Sequence, residues 1–118
     1  MTLRELPVIQ APEVVACCAP LTAEVLTEDD AETLAGQFAV LADPVRLRLV
    51  SLLANAEDGA ICACDLVEPS GRSQGTVSVH LRKIVASGLA VSEKRGRNVW
   101  YAINPNALEA LRAVLATR

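Results

Sequence analysis

Cys62-Ala63-Cys64 places two thiols two residues apart, and Cys17-Cys18 adds a vicinal pair near the N-terminus. Thiolates hold soft metal ions and are also the side chains that oxidise most readily. Which chemistry applies depends on the compartment. The opening Met1-Thr2-Leu3-Arg4-Glu5 lacks the apolar core of a signal peptide, and no run approaches the roughly 20 apolar residues of a membrane span. A reducing, cytoplasmic setting is expected, with no membrane partner, so metal binding or redox chemistry is favoured over a disulfide framework. Geometry adds a constraint. On an ideal helix, residues two apart diverge by about 200°, so Cys62 and Cys64 can grip one ion only where a helix has not begun or is distorted. No Cys-x-x-Cys motif and no interpretable pairing of nucleophile with base is present, so an enzyme is not expected.

Downstream of the thiols the charge changes sign. Residues 1–71 carry three basic side chains against twelve acidic ones, a net −9; residues 72–101 carry six against one, a net +5; the tail adds +1, which recovers the overall −3. A basic segment inside an acidic chain is the electrostatic footprint of phosphate binding.

The elements that must position these groups follow from caps and periodicity. Residues 1–26, with Pro7, Pro12 and Pro20 and no sustained helical period, read as a mobile arm carrying Cys17-Cys18; residues 27–118 read as one domain. Thr27 caps a first helix with Leu34, Phe38 and Leu41 at helical spacing, and Asp43-Pro44 starts a second with Val45, Leu49 and Leu52 or Leu53 on its apolar face. A short helix through Cys64-Asp65-Leu66-Val67 is expected to stop before Pro69-Ser70-Gly71. Ser73 caps a fourth helix with Val77, Leu81, Ile84 and Val85 inward and Gly88 at its left-handed end. Strands Leu89 to Lys94 and Val99 to Ile103 flank the hairpin tip Arg95-Gly96-Arg97-Asn98, and a last helix from Asn106 to about Ala116 aligns Leu108, Leu111 and Leu115. With only three aromatics, Phe38, Trp100 and Tyr101, the core must be aliphatic, and so small a core is often completed by dimerisation.

A short helix, a tight turn, a capped helix and a basic hairpin spell a winged helix-turn-helix: mainly α with a small β-hairpin, four helices, two strands and a final helix. Ser73, Gln74, Thr76, Ser78 and His80 are candidates for base edges, Gln74 for adenine and Thr76 for a thymine methyl, with His80 open to a structural role instead. Arg72, Arg82 and Lys83, with Lys94, Arg95 and Arg97 on the wing, are the candidate phosphate contacts on double-stranded DNA.

Two runs match a known pattern. Phe38 through Leu41-Ala42-Asp43-Pro44-Val45-Arg46-Leu47-Arg48-Leu49 resembles the second-helix signature of the ArsR/SmtB metalloregulatory repressors, and Ser73-Gln74-Gly75-Thr76-Val77-Ser78-Val79-His80-Leu81 with Ser87-Gly88-Leu89 resembles their recognition helix and its exit. The likeness covers residues 28 to about 116. Gly75 stands where a proline is common, and Val79 where a histidine is common. Ala60-Ile61-Cys62-Ala63-Cys64-Asp65-Leu66 resembles the thiol motif of the family's arsenite and cadmium/lead branches. That resemblance implies a homodimeric repressor, its first and last helices forming the interface, that leaves operator DNA when Cys62 and Cys64 bind an inducer. Val67 stands where one arsenite pattern has a third cysteine, so a third thiol would come from Cys17 or Cys18. Three thiolates suit trivalent arsenic or antimony and four suit cadmium or lead; strain in using adjacent cysteines together leans towards three. A repressor whose thiols oxidise instead remains open. The last helix holds no histidine, against the zinc or nickel site some members build there.

Overall fold

The computed structural model describes residues 20–117. In chain order the elements are α1 (Glu28–Leu41), α2 (Pro44–Ala54), β1 (Ile61–Cys62), α3 (Ala63–Ser70), α4 (Gln74–Ala86), β2 (Ala90–Arg95), β3 (Asn98–Ile103) and α5 (Pro105–Leu115). Local chemistry sets the helix starts. The Thr27 hydroxyl accepts from the Asp30 N–H, the Asp43 carboxylate from those of Val45 and Arg46, and the Ser73 hydroxyl from that of Thr76. Gly88, at φ 87°, lies in the left-handed region just past the end of α4.

Three expectations are corrected. The first concerns α3, which runs through Pro69 to Ser70 and ends at Gly71, φ 69°. Proline there has no N–H to give the Asp65 carbonyl, and the helix ends one residue later, where the Ser70 hydroxyl donates to the Val67 carbonyl at 2.8 Å. The second concerns the sheet, which has three antiparallel strands in the order β1-β3-β2 rather than two. Ile61 pairs with Tyr101 and Cys62 with Trp100, so β1 ties the thiol segment to the wing. The third concerns α5, which starts at Pro105 behind Asn104. The fully buried Asn104 side chain accepts from the Asn106 N–H and donates to the Gly88 carbonyl, binding this start to the end of α4. The inward face of α5 is Ala107, Leu111 and Val114, while Leu115 is 55% exposed.

The core is aliphatic, as expected. Leu49 and Leu53 of α2, Leu66 of α3, and Val77, Leu81 and Ile84 of α4 are fully buried together with Leu89. Each such side chain contributes roughly 1.5–3 kcal/mol relative to exposure. This shared packing holds α3 and α4 as one unit on α2. Ahead of α1, the Leu21 N–H donates to the Val114 carbonyl at 2.9 Å and Leu26 packs on the core, so the described part of the N-terminal segment lies along α5.

Candidate thiol centre and nucleic-acid interface

Cys62 holds two positions at once: it is the last residue of β1 and the N-cap of α3. Its backbone is extended, φ −65° and ψ 141°, and its sulfur accepts from the Cys64 N–H at 3.3 Å. The bend between strand and helix removes the divergence of an ideal helix and turns both side chains to one side. Their Cα atoms lie 5.2 Å apart and the sulfurs are in direct contact, in the arrangement of a disulfide pair, where the sequence favoured free thiols. Cys62 is buried and Cys64 exposed, so the pair meets solvent from one side. Among the described residues no group of three His, Cys, Asp or Glu gathers into a metal site. The fit to a soft ion therefore rests on two sulfur donors here, and Cys17 and Cys18 lie outside the described residues.

Beside the sulfurs opens a cavity of about 330 Å³. Cys62, Ala63 and Cys64 form one wall; Gln74, Ser78 and Arg82 of α4 form a second; Arg97, Asn98, Val99 and Tyr101 of the wing form the third. Four of the residues singled out for DNA, Gln74, Ser78, Arg82 and Arg97, thus share a space with the thiols. Sequence reasoning missed Asn98 and Tyr101, because only the β1–β3 pairing brings them there.

The other candidates divide by their partners. Arg72, Lys83 and Lys94 are exposed. Ser73 and Thr76 are exposed but occupied with each other, the Ser73 hydroxyl donating to the Thr76 hydroxyl at 3.0 Å. Arg95 is half-buried, with its Nε 2.9 Å from a Glu93 carboxylate oxygen and its guanidinium 5.4 Å from the centre of the Trp100 ring. That arrangement stiffens the wing, whereas Arg97 at the tip is exposed.

His80 is half-buried, its Nδ1 3.3 Å from Arg46 Nη1. Arg46 was not among the expected site residues, yet it joins three helices. Its Nε donates to the Val40 carbonyl at 2.8 Å and its Nη2 to that of Ala39 at 3.4 Å, closing the end of α1 onto α2, while Nη1 meets His80 of α4. Asp43 completes the junction. The Arg46 backbone N–H, bonded to its carboxylate, holds the Asp43 pKa below the usual carboxylate range against partial desolvation; the Val45 N–H and the charges of Arg46 and His80 add to the lowering.

A short helix, a glycine turn, a capped helix and a two-stranded basic wing, all on one aliphatic core, define the winged helix-turn-helix class of regulators. Residues 43–92 match the model of the bacterial regulatory proteins of the arsR family. The chain is similar to a transcriptional repressor SmtB homolog of Synechocystis sp., 41% identical over 83 residues that cover 70% of this chain and 61% of that protein. It is also similar to the arsenical resistance operon repressor of Escherichia coli, 41% identical over 69 residues covering 58% of this chain and 57% of that one. Among solved structures, the antimony-specific transcriptional repressor AntR superposes with a TM-score of 0.64 at 30% identity, over 75% of this chain and 79% of that one. The chain belongs to the ArsR family. It spans about three-fifths of the length of these curated relatives.

Proposed function

We infer that the protein is a homodimeric transcriptional repressor that binds a two-fold symmetric operator and releases it when trivalent arsenic or antimony is captured by Cys62, Cys64 and one of Cys17 and Cys18. One observation carries this reading: the thiol pair shares its cavity with α4 and the wing. Cys62 is moreover paired with Trp100 of β3 and caps α3. Thiolates that draw in an ion must shift this cap, and the shift passes along β1 to the wing and through the α3–α4 packing to the DNA-facing helix. Inducer and DNA are then reciprocally coupled ligands, with a typical coupling of about 1–3 kcal/mol, or roughly 5- to 150-fold in affinity. The two α4 helices of a dimer would enter successive major grooves about 34–36 Å apart. Leu21 and Leu115, exposed about the end of α5, and Val25, exposed ahead of α1, supply apolar surface for a dimer interface built on α1 and α5.

In this account Arg72, Arg82, Lys83, Lys94 and Arg97 contact phosphates, Gln74 and Ser78 face base edges, and Ser73 and Thr76 present the start of α4. His80 and Arg95 act through the Arg46 junction and the Trp100 stack. A protein with this role acts in the cytoplasm, where its DNA and its reducing conditions are found.

The paired sulfurs support a second reading, a redox repressor. Two thiols would lose two protons and two electrons to a peroxide, which leaves as water, and the resulting disulfide would be the releasing signal. Titrating the reduced full-length protein on a labelled operator separates the readings. Release at one arsenite per chain, lost in Cys62→Ser, supports the metalloid switch. Release by cadmium alone with all four cysteines required moves the inducer to cadmium or lead, and release by peroxide alone establishes the redox reading.

A further inference from the structure

The outward face of α4 has an apolar centre that the polar candidates do not explain. Val77, Leu81 and Ile84 are fully buried and fix the inward direction. At about 100° per residue, Gly75 and Val79 fall on the opposite side, one turn apart and within about 40° of each other. Val79 is 43% exposed, an apolar side chain on this outward face. At Gly75 an added Cβ would meet nothing within 4 Å, so the helix surface there is bare backbone facing open space. Helical side chains lean towards the N-terminus, so the Val79 isopropyl group borders the bare turn at Gly75. The same face is flanked by the exposed cations Arg72, Arg82 and Lys83. An apolar knob beside a backbone hollow, ringed by cations, suits a groove lined by phosphates better than an apolar protein partner.

We propose that Val79 is a specificity-determining residue that reads a thymine by packing on its 5-methyl group, with Gly75 letting the helix approach closely enough for that contact. The inference rests on the DNA-binding reading above. Its chemistry is selective in one direction. Thymine offers a methyl group in the major groove, whereas cytosine offers an N–H donor, which would be left without an acceptor against valine. Gln74, Thr76 and Ser78 can satisfy polar edges on either side, but none of them supplies an apolar surface at the centre of the face.

The test is a selection of bound duplexes from a randomised library, made with reduced full-length protein and with Val79→Ser, a surface change whose fold is verified by circular dichroism. Affinities for the enriched duplexes are then measured with thymine replaced by uracil, which removes only the methyl group. The expected result is an enriched thymine in each half-site whose replacement weakens the unsubstituted protein about fourfold, the factor that one buried methylene-sized group supplies. Val79→Ser should lose that sensitivity and accept cytosine. Enrichment of the same base by Val79→Ser, or an equal uracil penalty in both proteins, overturns the inference while leaving DNA binding intact. Enrichment of no duplex by either protein overturns the DNA-binding reading, and this inference with it.

Discussion

The two helices of the helix-turn-helix begin in opposite ways. At the start of α4, the Ser73 hydroxyl both accepts from the Thr76 N–H and donates to the Thr76 hydroxyl, and three fully buried side chains anchor the helix behind it. The α3 helix begins on a sulfur, a weak acceptor, at 3.3 Å from the Cys64 N–H; it has eight residues and carries a proline in its last turn. A strong cap on a long helix resists change, and a weak cap on a short one yields to a ligand that offers its sulfur a better bond. The fold has placed the yielding start at the thiols and the rigid start where the proposed DNA-facing surface lies.

The largest expected effect breaks the rigid side. Leu81→Ala, in the fully buried face of α4, should lower the unfolding free energy by about 2–5 kcal/mol, measured by urea denaturation. Ser73→Ala should cost about 1 kcal/mol in the same assay and weaken DNA binding in proportion to the fraying of α4. The corresponding change on the yielding side behaves differently. Cys62→Ser keeps an N-cap acceptor, which offsets part of the cost of a buried hydroxyl in place of the thiol; stability should fall by less than in Leu81→Ala, while the proposed arsenite response is lost. A large stability loss in Cys62→Ser together with a negligible one in Ser73→Ala would invert the comparison.

The smallest effect is a pH dependence at the α1–α2 junction. The folded pKa of Asp43 is depressed, so its ionised form is favoured by folding. Its contribution is complete above the unfolded value, roughly pH 4, and is lost as pH falls through the lower folded value. Asp43→Asn should therefore flatten the acid limb of a pH–stability profile. An unchanged acid limb would remove Asp43 from the junction's energetics.

What the chain revealed before its structure follows the range of the interactions involved. Thr27, Asp43 and Ser73 were legible as caps because a cap acts within three residues. Asn104-Pro105 carries the same local cap signature as Asp43-Pro44, with the Asn106 N–H bonded two residues on, and was passed over; only its second bond, to the Gly88 carbonyl sixteen residues away, lies beyond local reading. The two-residue β1 has no periodicity of its own and exists only through its pairing with β3. Pro69 read as a stop, although the helix runs one residue past it before Gly71 turns left-handed. Among the proposed site residues, the polar start of α4, the basic wing and the thiol pair are all visible from type and spacing. Arg46 and His80, 34 residues apart, could not be joined without coordinates, and neither could the cavity that brings Cys64, Arg82 and Arg97 to one space.

Amide hydrogen exchange on the reduced full-length protein, with and without one equivalent of arsenite per chain, tests most directly whether the yielding start is the switch. The account predicts altered protection at residues 61–66 and across β3 from 98 to 101, with the first turn of α4 retaining its own. Unchanged exchange at residues 61–66 and 98–101 while the arsenite is bound would contradict it.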